Sequence, residues 1–454
     1  MRTIQFHGTL LLLCALLLGS FTPALAAEDS PRDLAPGLIV PDAARPGPKF
    51  NAGAATRAYI DLLTPEQRAQ SDAYFEGGYW ISLWDMLVTV AVAALLLFSR
   101  ASSKLRDWAE KVGRRPFLHT AVYALMFIVA VYLLTLPWMA YVGFFREHQY
   151  GLATQNFPAW LADSLKELGV NLVIGAPAIA LLYTAVRRAG AAWWAWAGAI
   201  TAALLLFVAM IAPVFIAPLF NTYKPLAEGP LRDSVLSMAR AYRIPADNVY
   251  VFDASRQTTR ISANVSGMFG TTRISLNDNL LNGTSAPEIR AVMGHEMGHY
   301  LLNHGVRLVI YIGLVLTLGF LFLHLCFDAA VRRFGARWGV TGRGDPAGLP
   351  LAMALLAVYL TLAQPVLNSI TRSAEAEADR FGLAAAAEPY GFATAAMRLS
   401  TYRKIHPGKW EELIFYDHPS GYNRVFGAMT WLKEHQDDPR LEAQAAQARR
   451  GAAP

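Results

Sequence analysis

Residues 285–327 read SAPEIRAVMGHEMGHYLLNHGVRLVIYIGLVLTLGFLFLHLCF, so a polar segment leads directly into an apolar one long enough to cross a membrane. In the polar part, residues 295–299 have the pattern H-E-x-x-H. Residues four apart lie on one face of a helix, so the imidazoles of His295 and His299 can both point at one zinc ion. Zinc lowers the pKa of water towards neutrality, and Glu296 can accept the proton as general base.

The signals for a helix around this motif are clear. Ser285 and Glu288 are spaced as a capping box, and Pro287 suits the first turn. Gly305 is expected to end the helix. The alternative is a chance match on a surface helix, and these local signals argue against it.

The composition indicates lipid contact. Hydrophobic residues make up 54% of the chain and charged residues 16%, with a mean hydropathy of +0.29. Soluble domains carry about 25% charged residues. The net charge of +6 arises mainly from basic residues in short loops between apolar runs, so we expect a lipid bilayer and no nucleic acid as partner. The two cysteines, Cys14 and Cys326, both lie in apolar segments and allow no disulfide framework or cysteine-based zinc site.

Six apolar segments are long enough to cross about 30 Å of hydrocarbon. They are Tyr79 to Phe98, Phe117 to Phe144, Leu168 to Ala185, Ala192 to Phe220, Val306 to Phe327 and Leu349 to Ile370. Residues 1–26 form either a cleaved signal peptide or a further transmembrane helix. The chain is therefore predicted to have six to seven spans.

Two polar stretches interrupt the apolar pattern and must hold any chemistry that needs water. In the first stretch, residues 248–252 and 272–276 alternate as short strands do. The predicted fold is thus a polytopic α-helical membrane protein with a small α/β zincin-like catalytic region. The predicted divisions are 1–26 (signal peptide or first span), 27–76 (extramembrane segment), 77–220 (four spans), 221–305 (catalytic, with the zinc helix), 306–370 (two spans), 371–433 (catalytic, second part) and 434–454 (tail).

A catalytic zinc ion needs a third protein ligand. Glu375 and Asp379 lie four residues apart after the last apolar segment, so one carboxylate could bind zinc while the other holds a ligand histidine by its second nitrogen. The alternative is the solvated acidic start of a helix. Glu377 lies about 200° around the helix from Glu375 and is expected to face away from the metal. His304 is interpreted as structural, because three protein ligands already satisfy zinc.

The sequence at this point resembles a known family. Residues 375–379, preceded by Asn368 and Arg372, and residues 295–304 with the pattern H-E-x-G-H-x-x-x-x-H are similar to the integral-membrane CAAX prenyl proteases. These are zinc endopeptidases that trim prenylated C-termini. The order of helices, zinc helix and second carboxylate segment also agrees over most of the chain.

The resemblance implies one zinc ion per chain, bound by His295, His299 and Glu375. It implies Glu296 as the base and Asp379 as a residue that supports a ligand. It further implies that the membrane helices enclose a large chamber into which the zinc faces.

Two weaker similarities extend the match. Residues 264–281, with Gly267 and Gly270, are similar to the family segment before the zinc helix, and an exposed strand there could pair with a substrate peptide. An ordinary hairpin is the alternative. His418, with Arg424 following, resembles a family segment whose His and Arg help to stabilise the oxyanion. A structural histidine before proline is the alternative.

The predicted function is a zinc metalloendopeptidase of membranes, CAAX prenyl protease-like, that acts on peptide or protein substrates. A quality-control protease for membrane proteins is the nearest alternative. An inactive scaffold or a transporter is the alternative from another class. The intact H-E-x-x-H motif and Glu375 argue against a scaffold, and the paired interruptions expected of a transporter are not evident.

The charge pattern predicts an orientation in a bacterial inner membrane. Three basic loops, Ser99 to Pro116, Arg187 to Arg188 and the loop after Phe327, fall on one side when the spans alternate. The net acidic segment 27–76 falls opposite. The positive-inside rule places the basic loops in the cytoplasm and the catalytic region outside it. The eukaryotic relatives are understood to present this region to the cytosol, so pattern and resemblance disagree here.

Overall fold

The computed structural model describes residues 34–35, 37–267 and 272–451, and most of these residues are helical. Residues 1–26 lie outside the described residues. The helices are α1 Ala52–Ile60, α2 Pro65–Phe98, α3 Ala101–Val112, α4 Pro116–Ala140, α5 Arg146–Gln149, α6 Phe157–Arg188, α7 Trp193–Ile211, α8 Pro230–Ala241, α9 Asp278–Gly283, α10 Ala286–Leu301, α11 His304–Trp338, α12 Leu349–Ala386, α13 Pro389–Leu399, α14 Lys409–Phe415, α15 Gly421–Glu434 and α16 Pro439–Gly451. The strands are β1 Tyr223–Pro225, β2 Val249–Phe252, β3 Ala263–Ser266 and β4 Arg273–Asn277.

Six helices in the described part of the chain are long and apolar enough to cross a membrane. They span Pro65–Phe98, Pro116–Gln149, Phe157–Arg188, Gly190–Leu219, His304–Trp338 and Pro346–Ala386. Five of them contain a predicted apolar segment, and the fourth matches its segment to within one residue, so these predictions are confirmed. The chain is a polytopic α-helical membrane protein.

The six spans pack in a ring. Each neighbours the next in the order α2, α4, α6, α7, α11 and α12, and α12 returns to α2. Residues of α4, α6, α7, α11 and α12 line a cavity of about 100 Å³ inside this ring. The spans therefore surround an internal space, and each end of the ring carries a different set of loops.

The basic loops meet at one end of the ring. Arg106 Nη1 lies 2.6 Å from Asp345 Oδ2, and Arg187 Nη1 donates a hydrogen bond of 3.2 Å to the carbonyl oxygen of Gly344. These contacts join all three loops that the charge pattern groups together. Their predicted placement on one side is confirmed.

The other end carries a four-stranded sheet in the order β1-β2-β4-β3. Strands β2 and β4 are parallel, whereas β1 and β3 pair antiparallel with their neighbours. Strands β2 and β4 confirm the two predicted strands. Helix α10 packs on this sheet through Met293 and Met297, which are fully buried against Ile274 and Leu276. The sheet thus fixes the position of the H-E-x-x-H helix.

The segment before the first span folds onto the same end. The buried Tyr59 donates a hydrogen bond of 3.0 Å to the carbonyl oxygen of Ile39, and Thr394 Oγ1 donates another to the same oxygen. Arg398 donates to the carbonyl oxygens of Leu34 and Gly37. The N-terminal segment and the second catalytic stretch are therefore one packed unit at one end of the ring.

Candidate active site

Helix α10 begins as predicted and ends differently. Ser285 is its N-cap, Pro287 lies in its first turn, and the backbone N–H of Ser285 donates to Glu288 Oε2 at 2.8 Å. The prediction that Gly305 ends the helix is wrong. The chain turns at Asn303, whose φ is 53°, because asparagine tolerates this left-handed conformation, and α11 begins at once with His304.

Helices α10 and α12 approach closely because glycines lie where they cross. A Cβ on Gly382 would lie 2.7 Å from the backbone nitrogen of His295, and a Cβ on Gly298 would lie 3.2 Å from the Cα of Ala378. A Cβ on Gly294 would lie 3.0 Å from the carbonyl oxygen of Gly382. The sequence reasoning did not identify these glycines, although the spacing Gly294-x-x-x-Gly298 is a signal of close helix packing.

This crossing brings together the three predicted metal-binding side chains. His295 Nε2 and His299 Nε2 are 3.0 Å apart. Glu375 Oε2 lies 3.3 Å from His295 Nε2, and Glu375 Oε1 lies 3.4 Å from His299 Nε2. Among the described residues, these three form a group whose donor atoms could hold one metal ion.

Asp379 lies behind His295. Its Oδ1 is 2.8 Å from His295 Nδ1, the nitrogen that faces away from the group. Burial acts to lower the pKa of His295, but the carboxylates of Asp379 and Glu375 outweigh burial and raise that pKa to about 10. A metal ion that binds Nε2 must therefore displace a proton.

Arg424 holds both carboxylates in place. Its Nε donates to Asp379 Oδ2 and its Nη2 donates to Glu375 Oε2, each at 3.0 Å. The resemblance placed this arginine near the oxyanion of an intermediate. The observed contacts show that it fixes and neutralises the two buried carboxylates, and its role towards the oxyanion stays a prediction.

Glu296 lies on the same helix as the two histidines, and burial raises the pKa of its carboxyl group while the imidazoles of His295 and His299 act in the opposite direction. Within the described residues we find no hydrogen bond donor on its carboxylate.

His418 reaches the group from the segment before α15. Its Nε2 lies 3.3 Å from Glu375 Oε1, and its Nδ1 lies 2.7 Å from Asp417 Oδ1. Burial lowers the pKa of His418, and the carboxylates of Glu375 and Asp417 oppose this effect. The structure therefore places this predicted residue beside Glu375, with one nitrogen held by its neighbour.

Strand β3 lies at the edge of the sheet, and Gly267 follows it with φ of 101°. Gly270 lies outside the described residues. Strand β3 pairs with β4 from Ala263 opposite Leu276 to Ser266 opposite Arg273. Among the described strands it pairs with β4 alone, so it is an edge strand of the sheet.

A ring of six membrane-spanning helices thus supports an H-E-x-x-H helix and a carboxylate, Glu375, as the third candidate metal ligand. The profile of the CAAX prenyl protease N-terminal region, with five membrane helices, matches residues 53–222, and the profile of peptidase family M48 matches residues 225–431. The chain belongs to peptidase family M48. It is a metallopeptidase of membranes.

Several known proteins are similar to it. The uncharacterized metalloprotease YhfN of Bacillus subtilis is 32% identical, over 64% of this chain and 68% of the relative. The CAAX prenyl protease 1 homolog of Oryza sativa is 26% identical, over 81% of this chain and 88% of the relative. The crystal structure of S. mikatae Ste24p has the same fold, with a TM-score of 0.67 and 23% identity over 81% of this chain and 90% of that one.

Proposed function

We propose that this chain is a zinc-dependent endopeptidase that binds one zinc ion through His295, His299 and Glu375. The observation that carries the proposal is that the ligand atoms of these three side chains lie 3.0 to 3.4 Å from one another. A tetrahedral ion with bonds of about 2.0 Å has ligand atoms about 3.3 Å apart. Two imidazoles and one carboxylate are also a usual ligand set of catalytic zinc.

The other residues supply the remaining chemistry. A bound zinc ion would polarise the peptide carbonyl and lower the pKa of water. Glu296 then accepts a proton from the attacking water and passes it to the leaving amine. His418, when protonated, donates a hydrogen bond from Nε2 to the carbonyl oxygen as negative charge develops there.

The position of β3 at the edge of the sheet supports a mode of substrate binding. We infer that an extended peptide adds to this edge by main-chain hydrogen bonds, as in other strand-addition complexes. Several relatives are named CAAX prenyl proteases, and a peptide bond near the C-terminus of a membrane-attached polypeptide is accordingly the proposed substrate class. A lipid-free peptide and the same peptide carrying a prenyl chain, compared as substrates, test this part of the proposal.

Zinc content and peptidase activity of the purified protein test the site. We expect His295→Ala, His299→Ala and Glu375→Ala to lose zinc, whereas Glu296→Gln keeps zinc and loses turnover. Asp328→Asn is the control, because Asp328 pairs with Arg343 rather than with any residue of the site. A Glu375→Ala protein that binds zinc as well as wild type would show that the third ligand is misassigned.

We also propose that the catalytic region lies outside the cytoplasm of a bacterial inner membrane. The contacts that join the three basic loops at the opposite end support this, since the positive-inside rule assigns such loops to the cytoplasm. A reporter that is active only outside the cytoplasm, fused after Pro454, is expected to be active. An inactive reporter, together with a fluorescent cytoplasmic fusion at the same position, would show that the proposed orientation is wrong.

A further inference from the structure

His304 is buried between the metal-binding group and a surface ion pair. Only 1% of its surface is exposed. Its Nδ1 lies 3.0 Å from His299 Nδ1, and its Nε2 lies 3.2 Å from Glu377 Oε2. We propose that Glu377 and His304 form a relay that positions the imidazole of His299 for the metal ion, an inference that rests on the proposed zinc ligands.

The hydrogen-bond directions in this relay are fixed by the chemistry of imidazole. If His299 Nε2 is to bind zinc, it must carry a lone pair, so the proton of that ring lies on Nδ1. This N–H donates to His304 Nδ1, which must then be the unprotonated nitrogen of its ring. The proton of His304 therefore lies on Nε2 and donates to the carboxylate of Glu377. Each donor in the chain meets one acceptor.

An arginine holds the outer end of the relay. Arg307 Nη1 donates to Glu377 Oε2 at 2.7 Å and Nη2 donates to Oε1 at 3.3 Å. Arg307 lies one turn after His304 on α11, whereas Glu377 is on α12. The ion pair thus ties together the two helices from which His304 and Glu377 approach.

The other predicted ligand, His295, is held by a carboxylate directly, without an intervening imidazole. Asp379 contacts His295 Nδ1 directly and is held in turn by Arg424. On the His299 side the carboxylate is farther away, and the imidazole of His304 bridges the gap. Carboxylates that hold metal-binding histidines in this way raise the basicity of the ligand and fix its ring.

The turn at Asn303 is what allows the bridge. Its left-handed conformation ends α10 and starts α11, so His304 folds back against the helix that carries His299. Both ring nitrogens of His304 are used by these contacts, and Nδ1 meets the side of His299 that faces away from Glu375. His304 is therefore a positioning residue and not a fourth ligand. Glu377 contacts His304 and Arg307, and it acts on the metal-binding group through His304.

The test measures the zinc dissociation constant of the full-length protein by competition with a chelator. His304→Ala and Glu377→Gln are each expected to weaken zinc binding about 10- to 100-fold. Asp328→Asn is the matched control. Like Glu377→Gln, it removes a carboxylate that is paired with an arginine, here Arg343, but Asp328 lies far from the metal-binding group, towards the other end of α11. It is expected to bind zinc as wild type does.

Two further measurements separate positioning from packing. In the relay, Glu377 acts only through His304, so the double variant should bind zinc no more weakly than His304→Ala alone. His304→Asn should recover part of the lost affinity, because its amide oxygen can accept the proton of His299 Nδ1. The absorption spectrum of the cobalt-substituted protein should change in His304→Ala and Glu377→Gln but not in Asp328→Asn.

The outcomes distinguish this inference from the proposed function. Equal zinc affinity in wild type, His304→Ala and Glu377→Gln refutes the relay and leaves the three ligands in place. Additive losses in the double variant also refute it. If His304→Ala does not fold, the zinc affinity of Glu377→Gln is compared with that of Asp328→Asn instead, because Glu377 is partly exposed and its substitution should not prevent folding. A wild-type protein that does not bind zinc refutes the proposed function itself.

Discussion

Gly382→Ala tests whether the close crossing of α10 and α12 sets the geometry of the metal-binding group. The added methyl group would lie 2.7 Å from the backbone nitrogen of His295 and 2.9 Å from its Cα. Carbon atoms in ordinary contact are about 3.5 to 4.0 Å apart. The two helices must therefore separate by roughly 0.7 Å, and both contacts are with rigid backbone, which no side-chain rotation can relieve.

This displacement is large on the scale of metal coordination. Metal–ligand distances are held to within about 0.2 Å, and Glu375 is on the helix that moves whereas His295 and His299 are on the other. Overpacking of this kind costs about 1 to 3 kcal/mol of folding free energy. We expect zinc affinity to fall while the protein still folds, because alanine is itself a better helix former than glycine by about 1 kcal/mol.

The assay pairs zinc competition with thermal unfolding of the purified protein. Gly427→Ala is the matched control, since Gly427 is also within a helix and a Cβ there would meet nothing within 4 Å. The control should bind zinc normally and be equally or more stable. If Gly382→Ala binds zinc as tightly as Gly427→Ala, the crossing does not set the site geometry and the reasoning fails.

Three other substitutions have separate expected results. Arg424→Met should destabilise the protein by about 3 to 5 kcal/mol in thermal unfolding and weaken zinc binding, because the buried carboxylates of Glu375 and Asp379 lose the guanidinium that neutralises them. His418→Ala should lower kcat and leave zinc content unchanged in metal analysis, and a loss of zinc would contradict its proposed hydrogen bond to the substrate oxygen. Arg398→Met should expose the backbone at Leu34 and Gly37 to limited proteolysis, because Arg398 donates to the carbonyl oxygens of these two residues. Unchanged cleavage at these positions would show that other contacts hold them.

Much of the fold could be predicted because its signals are local. The length of each apolar run predicts the six spans, and the capping residues before the H-E-x-x-H motif predict where α10 begins. The end of α10 could not be predicted in the same way. Gly305 was the predicted terminator, but the turn falls at Asn303, which tolerates the left-handed conformation, and His304 already belongs to the next helix.

Parts of the site depend on packing between distant segments, which sequence spacing does not reveal. Arg424 is 45 residues from Asp379 along the chain, and its contacts follow from how α15 packs near α12. The relay through His304 likewise requires α11 to fold back on α10. The spacing of Glu375 and Asp379 was informative because both residues lie on one helix.

The metal-binding group is built on helices that continue into the membrane, and this has a consequence for substrates. Helix α12 is continuous from Leu349 to Ala386 and contains Pro365, so the span and the turn that carries Glu375 belong to one helix. The predicted apolar segment ends at Ile370, five residues before Glu375, which corresponds to about 8 Å along a helix axis. Helix α11 similarly joins the membrane to α10 through the single turn at Asn303. If the proposed function is correct, we expect the peptide bond of the substrate to be held close to the membrane surface, because Glu375 lies only about 8 Å along the helix from the end of the apolar segment.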